Sequence, residues 1–448
     1  MTIFDTIVAE CTSPYKSALS VIRMAGKDAF TILDKMIDKE TEKMEPRRCY
    51  YCSIYKDKND KGSLIDRGLV VLFKGKESFA GEDSVEFYVH GSRIIVEELL
   101  DTLVSLGARR ALGGEFSAKA YYNGKMDLTE AEAINQLVNA RTTRSKDFAL
   151  KTLEGNSSLA IKQMKEALNM LTAEIEVDID YPEFDEGKDL IKKVEEVVPG
   201  MLVKAQTLLN GSRQSKYLFD GVKVAIIGEP NVGKSTLLNK ILGEEKAIVT
   251  PIPGTTRDIV EGEKEIDGII YKFFDTAGIR KEADMIEELG IKKTYQAIQE
   301  ADVILLLFEK GSSSEEEIKK LGLSEIINNK PCIYVFTKRD LNGTDTKADI
   351  SISKDDKDLL NLFNLIRQRL NIAQKEEEGF ATQRDEDIME RFVELLKGIE
   401  KDIRDQITID VVEIKLIQAT SCLDEMLGVE STLEDIYDTV FKHFCVGK

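Results

Sequence analysis

Tryptophan is absent from this 448-residue chain, histidine occurs only twice, and aromatic residues make up 7% of it. Aliphatic side chains must therefore build its cores. No apolar run approaches the ~18 residues of a membrane span, and MTIFDTIVAECTSPYK carries no apolar signal core. The expectation is a cytoplasmic protein that does not enter a membrane. Six scattered cysteines suit a reduced compartment better than a disulfide framework. Basic residues are outnumbered, 62 Lys+Arg against 81 Asp+Glu, for a net charge of −19. That deficit argues against coating nucleic acid or anionic membrane through bulk charge, though it leaves room for a local basic groove.

What is present is a chain long enough for roughly three domains at about 150 residues each. Residues 1–120 mix the short apolar runs ALSVIRMAG, GLVVLF and SVEFYVHG with the helical IIVEELLDTLVSLGA, a small α+β pattern. From 121 to 215 the apolar residues recur at three- and four-residue spacing, as in long amphipathic helices. VKVAIIG then opens a strand–helix alternation that runs to about 370, with ADVILLLF and PCIYVFT as further apolar strands of the same type. Beyond the charged AQKEEEG the helical pattern returns over 381–448, which holds a disproportionate share of the acidity. The expected fold class is multi-domain α/β and α. A discontinuous helical bundle would receive a P-loop domain, a parallel sheet with helices on both faces, as an insertion. Two independent helical domains are the alternative.

Gly228-Glu229-Pro230-Asn231-Val232-Gly233-Lys234-Ser235 follows the strand VKVAIIG and opens the helix STLLNKIL, beginning with Ser235 and Thr236. This is the spacing of a phosphate-binding loop. Its N–H groups and the helix N-terminus converge on phosphates, Lys234 reaches the β/γ-phosphates, and the Ser235 hydroxyl ligates Mg²⁺. Three further signals come in order. Pro253-Gly254-Thr255-Thr256-Arg257-Asp258 supplies a loop whose Thr256 completes the Mg²⁺ shell. Asp275-Thr276-Ala277-Gly278 supplies an acid near the metal and an N–H that senses the γ-phosphate. Thr337-Lys338-Arg339-Asp340 fits the guanine-reading N-K-x-D, with Asp340 accepting two N–H bonds that adenine cannot offer, although Thr337 replaces the usual Asn. The set resembles the GTPase superfamily. The usual S-A-K is degenerate, since Ser351-Ile352-Ser353 or a frame one to two residues later aligns equally well. Ile279 stands where many small GTPases place a glutamine, so the attacking water needs another positioner, with Glu282 and Glu287 downstream. The Asn231 oxygen could bind a monovalent cation, whose charge would serve as an arginine finger does elsewhere. Cys49-Tyr50-Tyr51-Cys52 is a lone CxxC with no second ligand pair, and alternation on a strand is its better reading. Phe444-Cys445-Val446-Gly447-Lys448 is not a prenylation box.

At this point the resemblance becomes specific. DTIVAECTSP, SVIRMAG, SFAGEDSVEFYVHG, GEFSAKAYYNGKMDLTEAEAI, GEPNVGKSTLLN, AIVTPIPGTTRD, FFDTAGIRKEADMIEELGI and FCVGK resemble the MnmE (TrmE) family of tRNA-modification GTPases over nearly the whole chain. The resemblance implies a tetrahydrofolate-binding and dimerisation domain (1–120), a helical domain in two parts (121–215 and 381–448) and an inserted GTPase domain (216–380). By carry-over, Arg23, Glu86 and Lys125, with Lys448 nearby, hold a 5-formyl- or methylene-tetrahydrofolate. Cys445 matches the family's functional thiol. Asn231, Thr250, Ile252 and Thr255 would hold K⁺, and Ser235 and Thr256 Mg²⁺. Val232, Gly233, Pro251, Pro253, Gly254, Thr276 and Ala277 would line the GTP site. Glu287 would orient the water, with Lys234, Arg257 and Asp258 completing the catalytic set.

The chain departs from the family at Thr12–Ala18, at Arg384-Asp385 in place of an R-H pair, and at Thr337. The resemblance implies a potassium-stimulated GTPase. With an FAD-containing partner of the MnmG (GidA) type, it would install a carboxymethylaminomethyl-type group on carbon 5 of the wobble uridine of tRNA. It would act as a homodimer and, with the partner, as a heterotetramer; FAD belongs to the partner, since no dinucleotide fingerprint is present here. A ribosome- or RNA-assembly GTPase, or a slow regulatory GTPase switch, is the alternative.

Overall fold

The computed structural model describes residues 3–180, 187–229, 231–243, 262–275, 298–309, 330–342, 347–353, 359–373, 378–380, 382–429 and 432–447. They form two compact units. The first gathers Met1–Val138, Lys151–Ala205 and Asp387–Lys448, the second Asn139–Leu150 and Gln206–Glu386.

The first unit begins with β1 (Ile7–Glu10), β2 (Leu19–Ala25), α1 (Ala29–Met36), β3 (Cys49–Tyr55), β4 (Leu64–Phe73), β5 (Ser84–His90), α2 (Arg93–Ser105), β6 (Arg109–Arg110) and α3 (Glu115–Tyr122). The strands lie in the order β3-β4-β5-β2-β1-β6, antiparallel except for β1 with β6. Side chains alternate across a strand, so each face has its own set. Val8, Ile22, Met24, Val70, Leu72, Val85, Phe87 and Val89 are buried with Ile32 and Leu33 of α1 and with Val96, Leu99 and Leu103 of α2. The intervening positions Ala9 and Ala25 face the other way, into a smaller core with Ile7, Ala80, Ala111 and Phe116 of α3. Arg23 and Glu86 belong to this second face, directly opposite one another across β2 and β5. The CxxC lies on β3, where a spacing of three sends the two thiols to opposite faces; Cys49 is exposed and Cys52 buried.

Next come α4 (Leu128–Asn139), α5 (Thr143–Leu153), α6 (Asn156–Asp180) and α7 (Gly187–Phe219). The second unit continues with β7 (Val222–Gly228), α8 (Lys234–Leu242), β8 (Gly262–Ile266), β9 (Ile269–Asp275), β10 (Val303–Phe308), β11 (Cys332–Phe336), α9 (Arg339–Asn342), β12 (Ile350–Ser351) and α10 (Leu360–Arg369). Its sheet has the order β12-β11-β10-β7-β9-β8. β10 and β11 read as unbroken apolar runs, and β7 does so after Lys223, because both their faces are covered. Val224, Ile226, Leu305, Leu307 and Val335 pack with Leu237, Leu238 and Ile241 of α8 and with Leu362, Phe363 and Ile366 of α10. Ala225, Ile227, Ile304 and Leu306 pack on the opposite side with Ile298 and Ala301.

The sheet departs from the all-parallel expectation at one edge, where β8 runs antiparallel to β9. The two are joined through Asp267 (φ 49°) and Gly268 (φ 74°), a two-residue turn that requires positive φ at both positions. Ahead of β7, Phe148 and Leu218 join this core, and Phe148 meets Phe219 edge to face.

The chain returns to the first unit along α11 (Gln383–Arg404), α12 (Ile409–Leu427) and α13 (Leu433–Thr439). α12 lies against α6, where Lys165 pairs with Asp424. α13 and the turn after it close a cluster of Ala118, Leu128, Ala131, Ile436, Val440, Phe441 and Phe444. Among the described residues no helix is long and apolar enough to cross a membrane.

Candidate functional site

In the second unit, the C-terminal ends of the parallel strands β7, β10, β11 and β12 lie along one edge of the sheet, where open α/β folds bind ligands. The loop after β7 turns through Asn231 (φ 63°) and Gly233 (φ 109°) into α8. Such turns aim successive N–H groups into an anion-binding hollow. Lys234, only 7% exposed, donates from Nζ to the carbonyls of Gly228 at 2.7 Å and Glu229 at 2.8 Å. Its cation is thus fixed over the loop. Ser235 and Thr236 expose their hydroxyls' residues in the first turn of α8, while Val232 is buried beneath the loop. An exposed first-turn serine fits an Mg²⁺ ligand, and the exposed Asn231 fits a cation ligand beside the loop. Asp275 ends β9, level with Ile226 of β7.

Thr337 occupies the position of the usual Asn at the end of β11. It is 7% exposed and its Oγ1 lies 2.7 Å from the Val232 carbonyl and 3.2 Å from that of Phe308. The hydroxyl donates toward the phosphate loop, so Thr337 ties the end of β11 to that loop. Lys338, at φ 56°, pairs with Glu309 at 2.5 Å, and the Arg339 N–H bonds the Ile352 carbonyl. Arg339 also reaches the Ser351 carbonyl, and Lys240 donates to that of Ser353, so Ser351-Ile352-Ser353 borders the same loop. Asp340 is exposed in the first turn of α9. Thr250, Pro251, Ile252, Pro253, Gly254, Thr255, Thr256, Arg257, Asp258, Thr276, Ala277, Gly278, Glu282 and Glu287 lie outside the described residues.

In the first unit a second constellation forms on the face that α1 and α2 leave free. Arg23 donates from Nε to Glu86 Oε1 at 3.0 Å, with its terminal nitrogen 2.9 Å from the same oxygen. The pair is 18% and 12% exposed. The guanidinium lies over the Phe79 ring at 4.8 Å and the Phe116 ring at 5.7 Å. Tyr88, two residues along β5 on the same face, donates to Glu86 Oε2 at 2.7 Å. Burial, then that bond to a carboxylate, pushes its phenol up to about 12. The segment after Phe79 reaches Lys125, because a Cβ at Gly81 would lie 2.9 Å from the Lys125 side chain. Lys125 itself donates to the Lys76 carbonyl. A carboxylate, two cations and two aromatic rings fit the mixed charge of a folate, with its pterin edge and glutamate carboxylates.

The same face receives the FCVGK segment. The Gly114 N–H bonds the Cys445 carbonyl at 3.3 Å, Val446 bridges Gly113, and the Cys11 thiol donates to the Gly447 carbonyl at 3.2 Å. Cys445 is exposed, whereas Lys448 lies outside the described residues. Sequence reading did not find Cys11, Tyr88, Phe79 or Phe116. Only the two-residue spacing of Glu86 and Tyr88 signalled a shared face. Of the two departures outside the nucleotide site, Thr12–Ala18 is held by Thr12 Oγ1 accepting from the Val21 N–H and by Ser17 N–H bonding the Gly91 carbonyl. Asp385 is buried and accepts from Arg384 at 2.9 Å.

Comparison with known proteins places these sites in context. A family model described as the GTP-binding protein TrmE N-terminus matches residues 6–125, and one described as the MnmE helical domain matches residues 128–445. The tRNA modification GTPase MnmE of Thermotoga sp. (strain RQ2) is 35% identical over 99% of this chain and 100% of its own length. That of Aquifex aeolicus is 34% identical with the same coverage, and that of Enterococcus faecalis is 34% identical over 99% and 98%. Among solved structures, Aquifex aeolicus Era bound to GDP and aluminium fluoride matches 38% of this chain and 66% of its own, at 30% identity and TM-score 0.25. Two family models in sequence order, and relatives alike from end to end, make the chain a member of the MnmE (TrmE) family.

Proposed function

We propose that the chain is a potassium-stimulated GTPase that modifies tRNA. With an FAD-containing partner of the MnmG (GidA) type, it would place a carboxymethylaminomethyl-type group on carbon 5 of the wobble uridine, drawing the one-carbon unit from a tetrahydrofolate. The observation that carries this reading is the end-to-end likeness to relatives named tRNA modification GTPases. Residues 1–120 bind folate and dimerise, 121–215 and 381–448 form the helical domain, and 216–380 form the GTPase domain. The protein works in the cytoplasm as a homodimer that joins its partner in a heterotetramer.

In this reading Lys234 exchanges its two loop carbonyls for the β/γ-phosphates of GTP. Asp340 accepts the two N–H bonds of guanine, and Glu287 orients the attacking water, with Arg257 and Asp258 beside it. Mg²⁺ at Ser235 and Thr256, and K⁺ at Asn231, Thr250, Ile252 and Thr255, supply positive charge against the phosphates. On the other unit Arg23 and Lys125 meet folate carboxylates while Glu86 accepts N–H bonds from the pterin edge, and Cys445 and Lys448 stand alongside.

Two measurements test the reading. GTP turnover should be at least about ten-fold faster in potassium than in sodium, a barrier difference of about 1.4 kcal/mol. Equal and negligible rates in both salts would leave a slow regulatory switch instead. Mass spectrometry of wobble uridine from cells lacking the gene should show loss of the modified nucleoside, and an unchanged profile refutes the tRNA assignment.

A further inference from the structure

We propose that Cys11 is a positioning residue: its thiol latches the FCVGK segment at Gly447 and so fixes Cys445 relative to the Arg23–Glu86 pair. The inference rests on the one-carbon part of the function proposed above. Cys11 comes directly after β1, on the same face as Ala9, which is level with Arg23 in the neighbouring strand. Its N–H continues the ladder by bonding the Val21 carbonyl at 2.8 Å. Its Sγ donates to Gly447, 436 residues away in sequence, at 3.2 Å. The residue therefore touches the candidate folate face through its backbone and the incoming segment through its side chain.

The approach leaves no slack. Gly447 adopts φ 92°, and a Cβ there would fall 2.6 Å from the Glu10 carbonyl oxygen and 2.9 Å from Cys11 Cα. Only glycine fits such a crossing. On the far side of the segment Gly114 holds the Cys445 carbonyl, and a Cβ at Gly113 would meet the Phe444 carbonyl at 2.5 Å. The segment is thus gripped at Cys445 itself, by a backbone bond to its carbonyl, and two residues further on by the thiol of Cys11. Burial, partly countered by Arg23, raises the Cys11 pKa, which keeps the thiol protonated and able to donate. A thiol is a small, weak donor, so the latch holds the segment without locking it.

Hydrogen exchange on the full chain tests the latch directly, read at the Gly114 amide, which reports whether the segment is docked. Cys11→Ala should speed exchange there about three- to five-fold, the scale of one net hydrogen bond. Cys11→Ser, whose hydroxyl can donate to the same carbonyl, should restore it. Gly447→Ala, which keeps the Cys11 thiol but drives a Cβ against the Glu10–Cys11 backbone and so dislodges the segment, should reproduce the faster exchange. In the same samples 5-formyl-tetrahydrofolate should bind several-fold more weakly to Cys11→Ala, while GTP turnover stays within two-fold of the parent. Unchanged exchange in Cys11→Ala, or failure of Cys11→Ser to restore it, overturns the latch. A parent protein that binds no folate sinks the one-carbon reading instead, and exchange still decides the latch.

Discussion

Thr337 stands where guanine readers carry an asparagine, yet its hydroxyl is spent on the Val232 carbonyl. The threonine ties β11 to the phosphate loop, and in the proposed function base recognition would fall to Asp340. Thr337→Val should therefore weaken GTP and ITP binding alike, by about five-fold for one net hydrogen bond, while Thr337→Ser binds both as the parent does. Calorimetric titration with the two nucleotides separates the cases: a change confined to the GTP:ITP ratio would return Thr337 to the base. Asp127 illustrates a different balance. Burial alone would raise its pKa, but hydrogen bonds from Ser158, Lys162 and Thr129 outweigh it and hold the carboxyl below its ordinary 3.8. A depressed carboxyl stabilises the fold fully above its unfolded value and loses that contribution as pH falls through its folded value. Asp127→Asn should accordingly lower the thermal midpoint at pH 7, and the gap from the parent should close as the pH is taken below about 4.

The β8–β9 hairpin shows what kind of element escapes a sequence. VKVAIIG, VILLLF and CIYVF announce themselves because both faces of β7, β10 and β11 are buried. GEKEI, at the sheet edge, alternates nothing apolar and looks like a charged loop; its one signal is the Asp267-Gly268 turn. The hairpin is nonetheless well held. Arg141 pairs with Glu263 at 2.6 Å, and Arg367 reaches Asp267 at 2.7 Å. Arg144 packs so closely under the turn that a Cβ on Gly268 would lie 2.5 Å from its side chain. Gly268→Val, strained at φ 74° and clashing with Arg144, should destabilise the second unit by about 1–2 kcal/mol, read as a lower denaturant midpoint for loss of nucleotide binding. A parent-like midpoint would mean that the turn relaxes without cost.

At the scale of the whole molecule, Gly228–Ser235, DTAG and the flanking signatures carried the family, because each has its meaning within a few neighbouring residues. What could not be read is everything that depends on register or on distant packing. Arg23 meets Glu86 only because β2 and β5 pair at that register. The Cys11–Gly447 bond joins positions 436 apart. The first unit is assembled on the same principle, from three stretches of chain with the second unit's residues between them. That arrangement sets a timetable. A ribosome that has passed residue 386 has delivered all of the second unit, whereas α6 still waits for α12 and α3 for Phe441 and Phe444. Contacts so remote in sequence form late and slowly. In refolding of the full chain, pulsed hydrogen exchange should find β7, β10 and β11 protected before α6. The reverse order would show that α6 does not need its latest-made neighbour. Ile161, Leu168 and Ile175 of α6 share a helix face with Lys165, whose partner Asp424 arrives only with α12, and it is along this face that a holding chaperone would have work to do in the nascent protein.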